Sequence, residues 1–323
     1  MEVDLDTNLP FVEKYRPDTL DDIISHEEIV ETITKFIEEK KLPHLMFYGP
    51  PGTGKTSTMI AIAKKIYGKG YRSMILELNA SDERGIGVVR EEIKSFCSMQ
   101  TIHNKGIKIV ILDECDAMTS PAQFALRRVI EKYTKTTRFC LIWNYVSKII
   151  PAIQSRCTRF RFQPLQTDQI VKKVDNIWSN EKLRIDKKSK RAIISMSGGD
   201  MRKVLNVLEC VSLAHDKIAE EDVYSCTGKP SPKDVNIIMK SLLKDSMKDA
   251  VATFMEIKDS KSLTLDDLVK ELHKAVMSEA LSKKRKMYLV IQLAEIDNRI
   301  SIGCNEKIQV KSIVGAFIFS RQF

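Results

Sequence analysis

The sequence predicts an α/β module built on a parallel sheet, followed by a small helical region and a larger all-helical one. Three observations lead to this prediction. A glycine-rich loop, Gly49–Thr56, lies between an apolar run and a helical pattern. A second apolar run, Lys108–Leu112, is followed directly by two acidic residues. Beyond Leu165 the apolar residues recur every three or four positions, which is typical of amphipathic helices.

Length and composition limit the class of protein. A chain of 323 residues can form two or three domains with sizeable cores. The net charge of +9 is compatible with nucleic acid binding but indicates it only weakly. The seven cysteines are scattered without a C-x-x-C pair, so we expect reduced thiols in a cytosolic or nuclear protein. No apolar run approaches the length of a membrane span and the N-terminus does not resemble a signal peptide, so no membrane partner is expected.

The glycine-rich loop matches the phosphate-binding pattern G-x-x-x-x-G-K-[ST] at every fixed position. A predicted strand, Leu45–Tyr48, precedes it and a predicted helix, Thr58–Ile66, follows, which is the context this pattern requires. Glycines let backbone N–H groups approach phosphate oxygens, the lysine reaches the terminal phosphates, and the threonine hydroxyl can ligate Mg²⁺. The predicted nucleotide contacts of the loop are Gly49, Pro50, Pro51, Gly52, Thr53, Gly54, Lys55, Thr56 and Ser57.

The run Lys108–Leu112 is expected to be a buried central strand whose carboxyl end delivers Asp113 and Glu114 to a ligand crevice. Asp113 would hold Mg²⁺ together with Thr56, directly or through water. Glu114 would orient and polarise the attacking water as general base. Two acids at a strand end could be incidental, but beside a phosphate-binding loop they favour a hydrolytic site.

The N-terminal segment Leu9–Pro17 places apolar and aromatic residues between two prolines. Proline favours extended backbone for itself and its predecessor, so we expect an ordered arm rather than a helix. Such an arm could wall an adenine ring or could be a strut packed on the core, and composition alone favours the strut. Periodicity predicts further helices near 25–40, after 81 and after 120, and further strands at 74–78 and 138–143.

Three polar residues have both a functional and a structural interpretation. Asn144 follows the strand at 138–143, where it could hydrogen-bond the attacking water or the γ-phosphate, or form an Asx turn. Composition alone favours a surface salt bridge for Arg156. Arg202 could be a helix-start arginine held by Asp200.

Six runs are informative together: GPPGTGKT, LELNASDERG, ILDECDAMT, ALRRVIEKYT, NYVSKIIPAIQSRCTRFRFQPL and SGGDMRKVLN. They resemble a small subunit of the eukaryotic replication factor C clamp loader, which belongs to the AAA+ ATPases. The resemblance begins at Leu9 and is dense to about Val211. It implies an AAA+ α/β nucleotide-binding domain at 1–162, a helical lid at 163–227 and a helical collar for oligomerisation at 228–323.

The resemblance also implies residue roles. The arm packs against the adenine, which favours nucleotide contact for Val12, Tyr15, Arg16 and Pro17. Asn144 matches the first sensor of the γ-phosphate, and Arg202 matches the second sensor, carried by the lid. Arg156, in a Ser-Arg-Cys signature, matches an arginine finger that enters the next subunit's ATP site. The implied catalytic set is therefore Glu114, Asn144, Arg156 and Arg202.

The implied ligands and partners follow from the same resemblance. They are ATP and Mg²⁺, the other replication factor C subunits in a hetero-pentamer, a sliding clamp and primer–template DNA, in the nucleus. Arg84, Arg90 and Lys148 are candidates for DNA phosphate contacts. For each of them, a place on a solvated helix face without a DNA contact is an equally good interpretation. The end of the helix after residue 81 faces the clamp in relatives, which makes Met99 and Ile102 candidates for clamp contact.

Two positions depart from the family pattern. Cys115 stands where many members have alanine, and we expect little effect on hydrolysis. Phe124 stands where relatives carry a polar residue, so a DNA or relay role there is in doubt. Two competing functions stay open: a scaffold subunit that supplies Arg156 without hydrolysing ATP, against which Glu114 speaks, and another AAA+ machine such as a branch-migration motor.

Overall fold

The computed structural model describes residues 9–20, 22–23, 25–39, 41–80, 85–99 and 107–323, with 69 and 85–90 in backbone only. The chain forms two compact units. The first comprises Met1–Arg184 and Arg191–Glu209, and the second comprises Ile185–Lys190 and Cys210–Phe323. The boundary between them falls inside the predicted lid, and the division at 162 and 227 stays a prediction.

The first unit contains a five-stranded parallel sheet. Its strands are β1 (Leu45–Tyr48), β2 (Ile75–Asn79), β3 (Lys108–Asp113), β4 (Thr137–Trp143) and β5 (Thr158–Arg161). Their order across the sheet is β2-β3-β4-β1-β5. The register pairs Leu45 with Cys140 and Asn79 with Asp113. This order places β1 and β3 on either side of β4, so the loops that follow these three strands meet at one edge of the sheet.

Helices cover the sheet because every strand connection is a crossover. In the first unit these helices are α1 (Phe11–Lys14), α2 (Glu27–Glu38), α3 (Lys55–Tyr67), α4 (Tyr71–Met74), α5 (Gly85–Ser98), α6 (Ser120–Tyr133), α7 (Pro151–Gln154) and α8 (Thr167–Glu181). The unit boundary crosses the next two helices, α9 (Lys187–Ser197) and α10 (Met201–Ala214).

Alternation along the strands divides the core of the first unit into two layers. On β3, Val110 and Leu112 pack in one cluster, and Ile109 and Ile111 pack in the other. A sheet buried on both faces must be apolar at consecutive positions, and Ile109–Leu112 are all fully buried. The core thereby fixes the strand that carries Asp113.

The second unit is helical apart from the short strands β6 (Arg184–Ile185) and β7 (Lys217–Ile218). Its further helices are α11 (Glu220–Thr227), α12 (Pro232–Lys244), α13 (Met247–Ser260), α14 (Leu265–Ser278), α15 (Lys283–Ser301) and α16 (Glu306–Phe319). One apolar cluster joins α12 to α16, with Phe254 and Phe317 fully buried. Ser231 and Ser246 cap α12 and α13 by accepting backbone N–H groups, which satisfies donors that the first helical turn leaves unpaired.

The structure corrects two local predictions. The arm is not wholly extended, since Phe11–Lys14 form one helical turn directly after Pro10, where a proline costs no hydrogen bond. A fifth strand, β5, was missed because it is short and lies at the edge of the sheet. Gln166 precedes α8, and its backbone N–H donates to Gln169 Oε1 at 3.2 Å. Across the described residues, no helix combines the length and apolarity needed to cross a membrane.

Candidate nucleotide site

The phosphate-binding loop has backbone geometry that only glycine accommodates without strain. Gly52 has φ 67°, and a Cβ there would lie 1.6 Å from Asp200 Oδ1. Gly49 has φ 147°, and a Cβ there would lie 2.0 Å from the carbonyl oxygen of Phe162. Both glycines therefore permit a close approach as well as a turn. The loop is packed tightly between the end of the sheet and the start of α10.

Lys55 is buried at the start of α3 and its ammonium already has three partners. Nζ donates to the carbonyl oxygens of Gly49 and Pro50, both at 2.8 Å, and to Asn144 Oδ1 at 3.2 Å. Burial lowers the pKa of Lys55 to about 8, an effect that the nearby Asp113 carboxylate opposes and the Arg202 charge reinforces. The ammonium is thus desolvated and oriented before any anion arrives, as a phosphate ligand requires.

Thr56 and Asp113 come together as the sequence predicts for a metal site. The Thr56 hydroxyl donates to Asp113 Oδ2 at 2.5 Å. Both are oxygen donors, and Mg²⁺ in phosphate sites is held through one or two protein oxygens plus the substrate phosphates. The donor set therefore fits Mg²⁺.

Glu114 follows β3 in an unusual backbone conformation. Its φ is 52° and its ψ 37°, the left-handed region that side chains other than glycine rarely adopt. Asp113 Oδ1 accepts its N–H at 2.7 Å and stabilises the turn. The exposed Glu114 side chain lines the same cleft as Lys55. Backbone strain of this kind concentrates at functional sites, and neither periodicity nor composition predicts it.

Two residues that the sequence reasoning missed hold the loop around Asn144. The Asp116 carboxylate accepts the backbone N–H groups of Asn144, at 2.6 Å, and Tyr145, at 3.1 Å. Gln123, nearly fully buried on α6, donates to the carbonyl oxygen of Lys148 at 2.9 Å and accepts the N–H of Ile150 at 2.9 Å. The sequence feature that could have revealed Gln123 is a glutamine at a core-facing position of a predicted helix. A buried side-chain amide must find hydrogen-bond partners for both its donor and its acceptor.

The cleft itself has a volume of about 500 Å³, a size typical of small-ligand sites. Asp113 and the predicted nucleotide contacts of the arm line it, as do seven of the nine predicted contacts of the loop: Val12, Tyr15, Arg16, Pro17, Pro51, Gly52, Thr53, Gly54, Lys55, Thr56, Ser57 and Asp113. Gly49 and Pro50 do not line the cleft, and their carbonyl oxygens bind Lys55 instead. Glu114, Asn144 and Arg202 line it too. Further lining residues that the sequence reasoning had not included are Glu13, Ile23, Ser25, Leu165, Lys173, Met201 and Leu205.

The arm is fixed over the cleft by two carboxylates far away in the sequence. Glu181, at the end of α8, accepts a hydrogen bond from the Tyr15 hydroxyl and forms an ion pair with Lys14 at 2.6 Å. Glu209, on α10, accepts the backbone N–H of Phe11 at 3.2 Å. Burial, reinforced by the Glu181 carboxylate, raises the pKa of Tyr15. The arm is therefore held by specific polar partners at Phe11, Lys14 and Tyr15.

Arg202 is the second residue of α10 and lies beside the loop. Its backbone N–H donates to Asp200 Oδ1 at 2.9 Å, and the N–H of Met201 donates to the carbonyl oxygen of Gly52 at 3.1 Å. The helix start is thus joined directly to the phosphate-binding loop. Asp200 binds the backbone of Arg202, and the Arg202 side chain lines the cleft.

Arg156 does not line this cleft. It lies on the surface after α7, where Nη2 forms an ion pair with Glu131 Oε1 at 2.6 Å and Nη1 donates to the carbonyl oxygen of Ala152 at 2.8 Å. About one third of its side chain is exposed. The structure therefore separates Arg156 from Glu114, Asn144 and Arg202, and its role in another subunit's site stays a prediction.

The predicted DNA and clamp contacts are only partly described. Lys148 is exposed, with Nζ 5.8 Å from the centre of the Tyr145 ring. Arg84, Ile102 and the side chain of Arg90 lie outside the described residues. Met99 follows α5 directly and is 61% exposed.

The two departures from the family pattern differ in exposure. Cys115 is fully buried, and burial, assisted by the charges of Asp113 and Asp116, raises the pKa of its thiol. It is therefore an inert core side chain. Phe124 is 51% exposed on α6.

Comparison with known proteins identifies the family. The chain is 51% identical to replication factor C subunit 5 of Homo sapiens over 315 residues, which cover 97% of this chain and 93% of that protein. It is 49% identical to replication factor C subunit 3 of Schizosaccharomyces pombe, over 98% of this chain and 94% of that one. The chain belongs to the replication factor C family. This confirms the prediction of a clamp-loader subunit. The residues near Asn144 and the run from Ser155 to Leu165 most resemble the subunit called 3 in yeast and 5 in animals, and the relatives carry these numbers.

Two family models match separate parts of the chain. Residues 45–165 match the ATPase family associated with various cellular activities, and residues 230–316 match the replication factor C C-terminal domain. The RuvB Holliday junction branch migration motor of Thermotoga maritima has a similar structure, with a TM-score of 0.53 at 16% identity over 80% of this chain and 91% of that one. The predicted α/β fold with helical C-terminal parts is confirmed, and the AAA match assigns nucleotide binding to the first unit.

Proposed function

We propose that this replication factor C subunit binds and hydrolyses ATP within a hetero-pentamer that opens a sliding clamp and places it on primer–template DNA in the nucleus. The observation that supports hydrolysis is the convergence of Lys55, Thr56, Asp113, Glu114 and Asn144 on one cleft. A scaffold that only bound nucleotide would need the loop but not a strained acid at its edge.

In this mechanism the chain's own residues orient the terminal phosphates. Lys55 exchanges its bonds to the Gly49 and Pro50 carbonyl oxygens for bonds to phosphate. Because burial lowers the pKa of Lys55 to about 8, the charge of the bound phosphate helps to keep the lysine protonated. Thr56 and Asp113 would hold Mg²⁺, which supplies neutralisation of the developing phosphoryl charge. Glu114 accepts the proton of the attacking water, and Asn144 orients that water.

The second half of the proposal is that the site is completed by neighbouring subunits. Arg156, which lies outside its own cleft, would enter the adjoining subunit's ATP site, where a guanidinium neutralises charge on the phosphoryl oxygens. Arg202 would contact the γ-phosphate in this chain's own site. The AAA+ assembly is then a ring or spiral in which each nucleotide lies between two chains.

DNA and clamp contacts belong to the same proposal. Arg84, Arg90 and Lys148 would hold the phosphate backbone without reading sequence, which suits a loader that acts at any primer junction. Met99 and Ile102 would contact the clamp through apolar packing. The exposure of Met99 and Lys148 is consistent with both contacts.

The proposal is tested by reconstituting the five-subunit complex with Glu114→Gln in this chain. We expect ATP binding to be retained and turnover of this site to fall about a hundredfold, because a general base contributes roughly that much. Glu77→Gln, which neutralises an exposed acid on β2, is the control. Unchanged turnover in Glu114→Gln would favour the scaffold. In parallel, Arg156→Ala should slow only the neighbouring site.

A further inference from the structure

Arg156 has a defined set of partners within its own chain. Nη2 lies 2.6 Å from Glu131 Oε1, and Nη1 donates to the Ala152 carbonyl oxygen at 2.8 Å and lies 3.5 Å from Ser155 Oγ. A guanidinium has five N–H donors in a planar fork. These contacts use only part of that fork, so N–H groups remain for an incoming anion while the plane of the fork is held.

Glu131 is in turn held by its own helix. Arg127, one turn earlier on α6, donates from Nε to the same oxygen, Oε1, at 3.0 Å. The hydrogen bond from Arg127, together with the charges of Arg127 and Arg156, lowers the pKa of Glu131, so the carboxylate is ionised at neutral pH. The result is a three-residue cluster, Arg127–Glu131–Arg156, in which two residues of α6 hold the side chain of Arg156, which follows α7.

We infer that Glu131 is a positioning residue for the arginine finger: it holds the Arg156 guanidinium in the orientation needed at the neighbouring subunit's nucleotide, and Arg127 fixes Glu131. The inference rests on the proposed trans role of Arg156. Glu131 and Gln123 lie on the same helix, α6, and the Gln123 amide holds the backbone of the loop after Asn144. This one helix would therefore position both the loop of Asn144 in this chain's own site and the Arg156 guanidinium that enters the neighbouring site.

Two opposing effects of Glu131 must be weighed. Its charge partly neutralises Arg156 and would weaken attraction to phosphate, but the cluster is about 40% exposed and water screens that effect. Its hydrogen bond restricts a long side chain that otherwise samples many rotamers, and small errors in the placement of a transition-state contact reduce rates severely. Positioning therefore outweighs neutralisation, and removal of Glu131 should slow the neighbouring site.

The test uses the complete five-subunit complex and reads the turnover of the neighbouring site alone, with the loop lysines of the other sites substituted. Glu131→Ala should lower kcat there by about threefold to tenfold with KM unchanged, a modest effect because exposed pairs restrain weakly. Glu131→Gln, whose amide oxygen can still accept a hydrogen bond, should recover part of the loss. Glu295→Ala is the control, since Arg299–Glu295 is a matched i,i+4 pair on α15.

A double-mutant cycle separates positioning from a general structural role. Glu131→Ala should have no further effect once Arg156→Ala is present, because the two act through one group. Three outcomes would overturn the inference and leave the proposed function standing. Glu131→Ala could slow the neighbouring site equally with and without Arg156→Ala. It could make that site faster, or it could leave that site unchanged although Arg156→Ala slows it. If Arg156→Ala itself leaves the neighbouring site unchanged, the trans role is wrong and the inference is overturned with it.

Discussion

The two ends of the nucleotide cleft are built in different ways. At the phosphate end Lys55 donates to loop carbonyls and to Asn144, and Thr56 donates to Asp113. All of these groups lie where β1, β3 and β4 end. At the base end the arm is held by Glu181 and Glu209, which follow it by more than 160 residues. One end is a local motif supported by a sheet, and the other exists only because distant helices fold against the arm.

The difference affects how readily each end can open. The groups at the phosphate end are buried and hydrogen-bonded, and a change there leaves a polar group unsatisfied, which is costly. The contacts of the arm include partly exposed ion pairs such as Lys14–Glu181, which contribute about 0.2–1 kcal/mol each. The phosphate end should therefore determine affinity, and the base end should determine how fast nucleotide enters and leaves.

The largest expected effect comes from breaking the phosphate end. Lys55→Ala removes a charged donor from the phosphates and should weaken ATP binding about a hundredfold, since charge-assisted hydrogen bonds are each worth about 1.5–3 kcal/mol. A titration with a fluorescent ATP analogue measures the affinity. Lys65→Ala, at an exposed position on the same helix, is the matched control. Equal affinity in the two variants would show that Lys55 is a structural lysine.

The next effect is a pH dependence that follows from the burial of Lys55. Its pKa of about 8 in the folded chain lies below its ordinary value of 10.5, so the free lysine loses its proton as pH rises through about 8. Bound phosphate favours the charged form, and ATP binding near pH 8–9 should therefore take up a proton. Above pH 8 the affinity should fall by up to about tenfold per pH unit. Calorimetry in two buffers of different ionisation enthalpy measures the proton uptake.

The lowered pKa of Lys55 has the opposite effect on the stability of the nucleotide-free chain, which should rise with pH where ATP affinity falls. A charged Lys55 destabilises the folded state below pH 8, and this cost disappears between pH 8 and 10.5, where the unfolded chain still binds the proton. Lys55→Arg keeps its charge throughout this range and should abolish the proton uptake. Proton uptake that persists in Lys55→Arg would assign the titration to another group.

The smallest effect should come from loosening the base end. Glu181→Gln weakens the contacts to Lys14 and Tyr15 and should speed nucleotide release by about twofold to fivefold, as expected for the loss of a partly exposed pair. Stopped-flow displacement of a fluorescent nucleotide measures the release rate. Lys172→Gln removes a charge from an exposed position on the same helix and serves as control. A large loss of affinity with unchanged release would contradict the division between the two ends.

The sequence was most informative where function depends on consecutive residues. The loop at 49–56 and the two acids at the end of β3 were correctly placed, because a short backbone motif fixes its own geometry and an apolar run fixes a buried strand. It was least informative at short elements such as β5 and the helical turn of the arm. Their form depends on the neighbours they pack against, and four residues carry too little periodicity to reveal it.

By itself, the sequence determined the fold class, the phosphate-binding loop and the family of this protein. Only the tertiary structure decided that Asp116 and Gln123 hold the Asn144 loop, that Glu181 and Glu209 fix the arm, and that Glu131 holds Arg156. The physical reason is range. A motif acts through backbone torsions and neighbours in sequence, whereas a hydrogen bond between side chains needs two atoms about 3 Å apart, and only the folded chain brings distant residues to that distance.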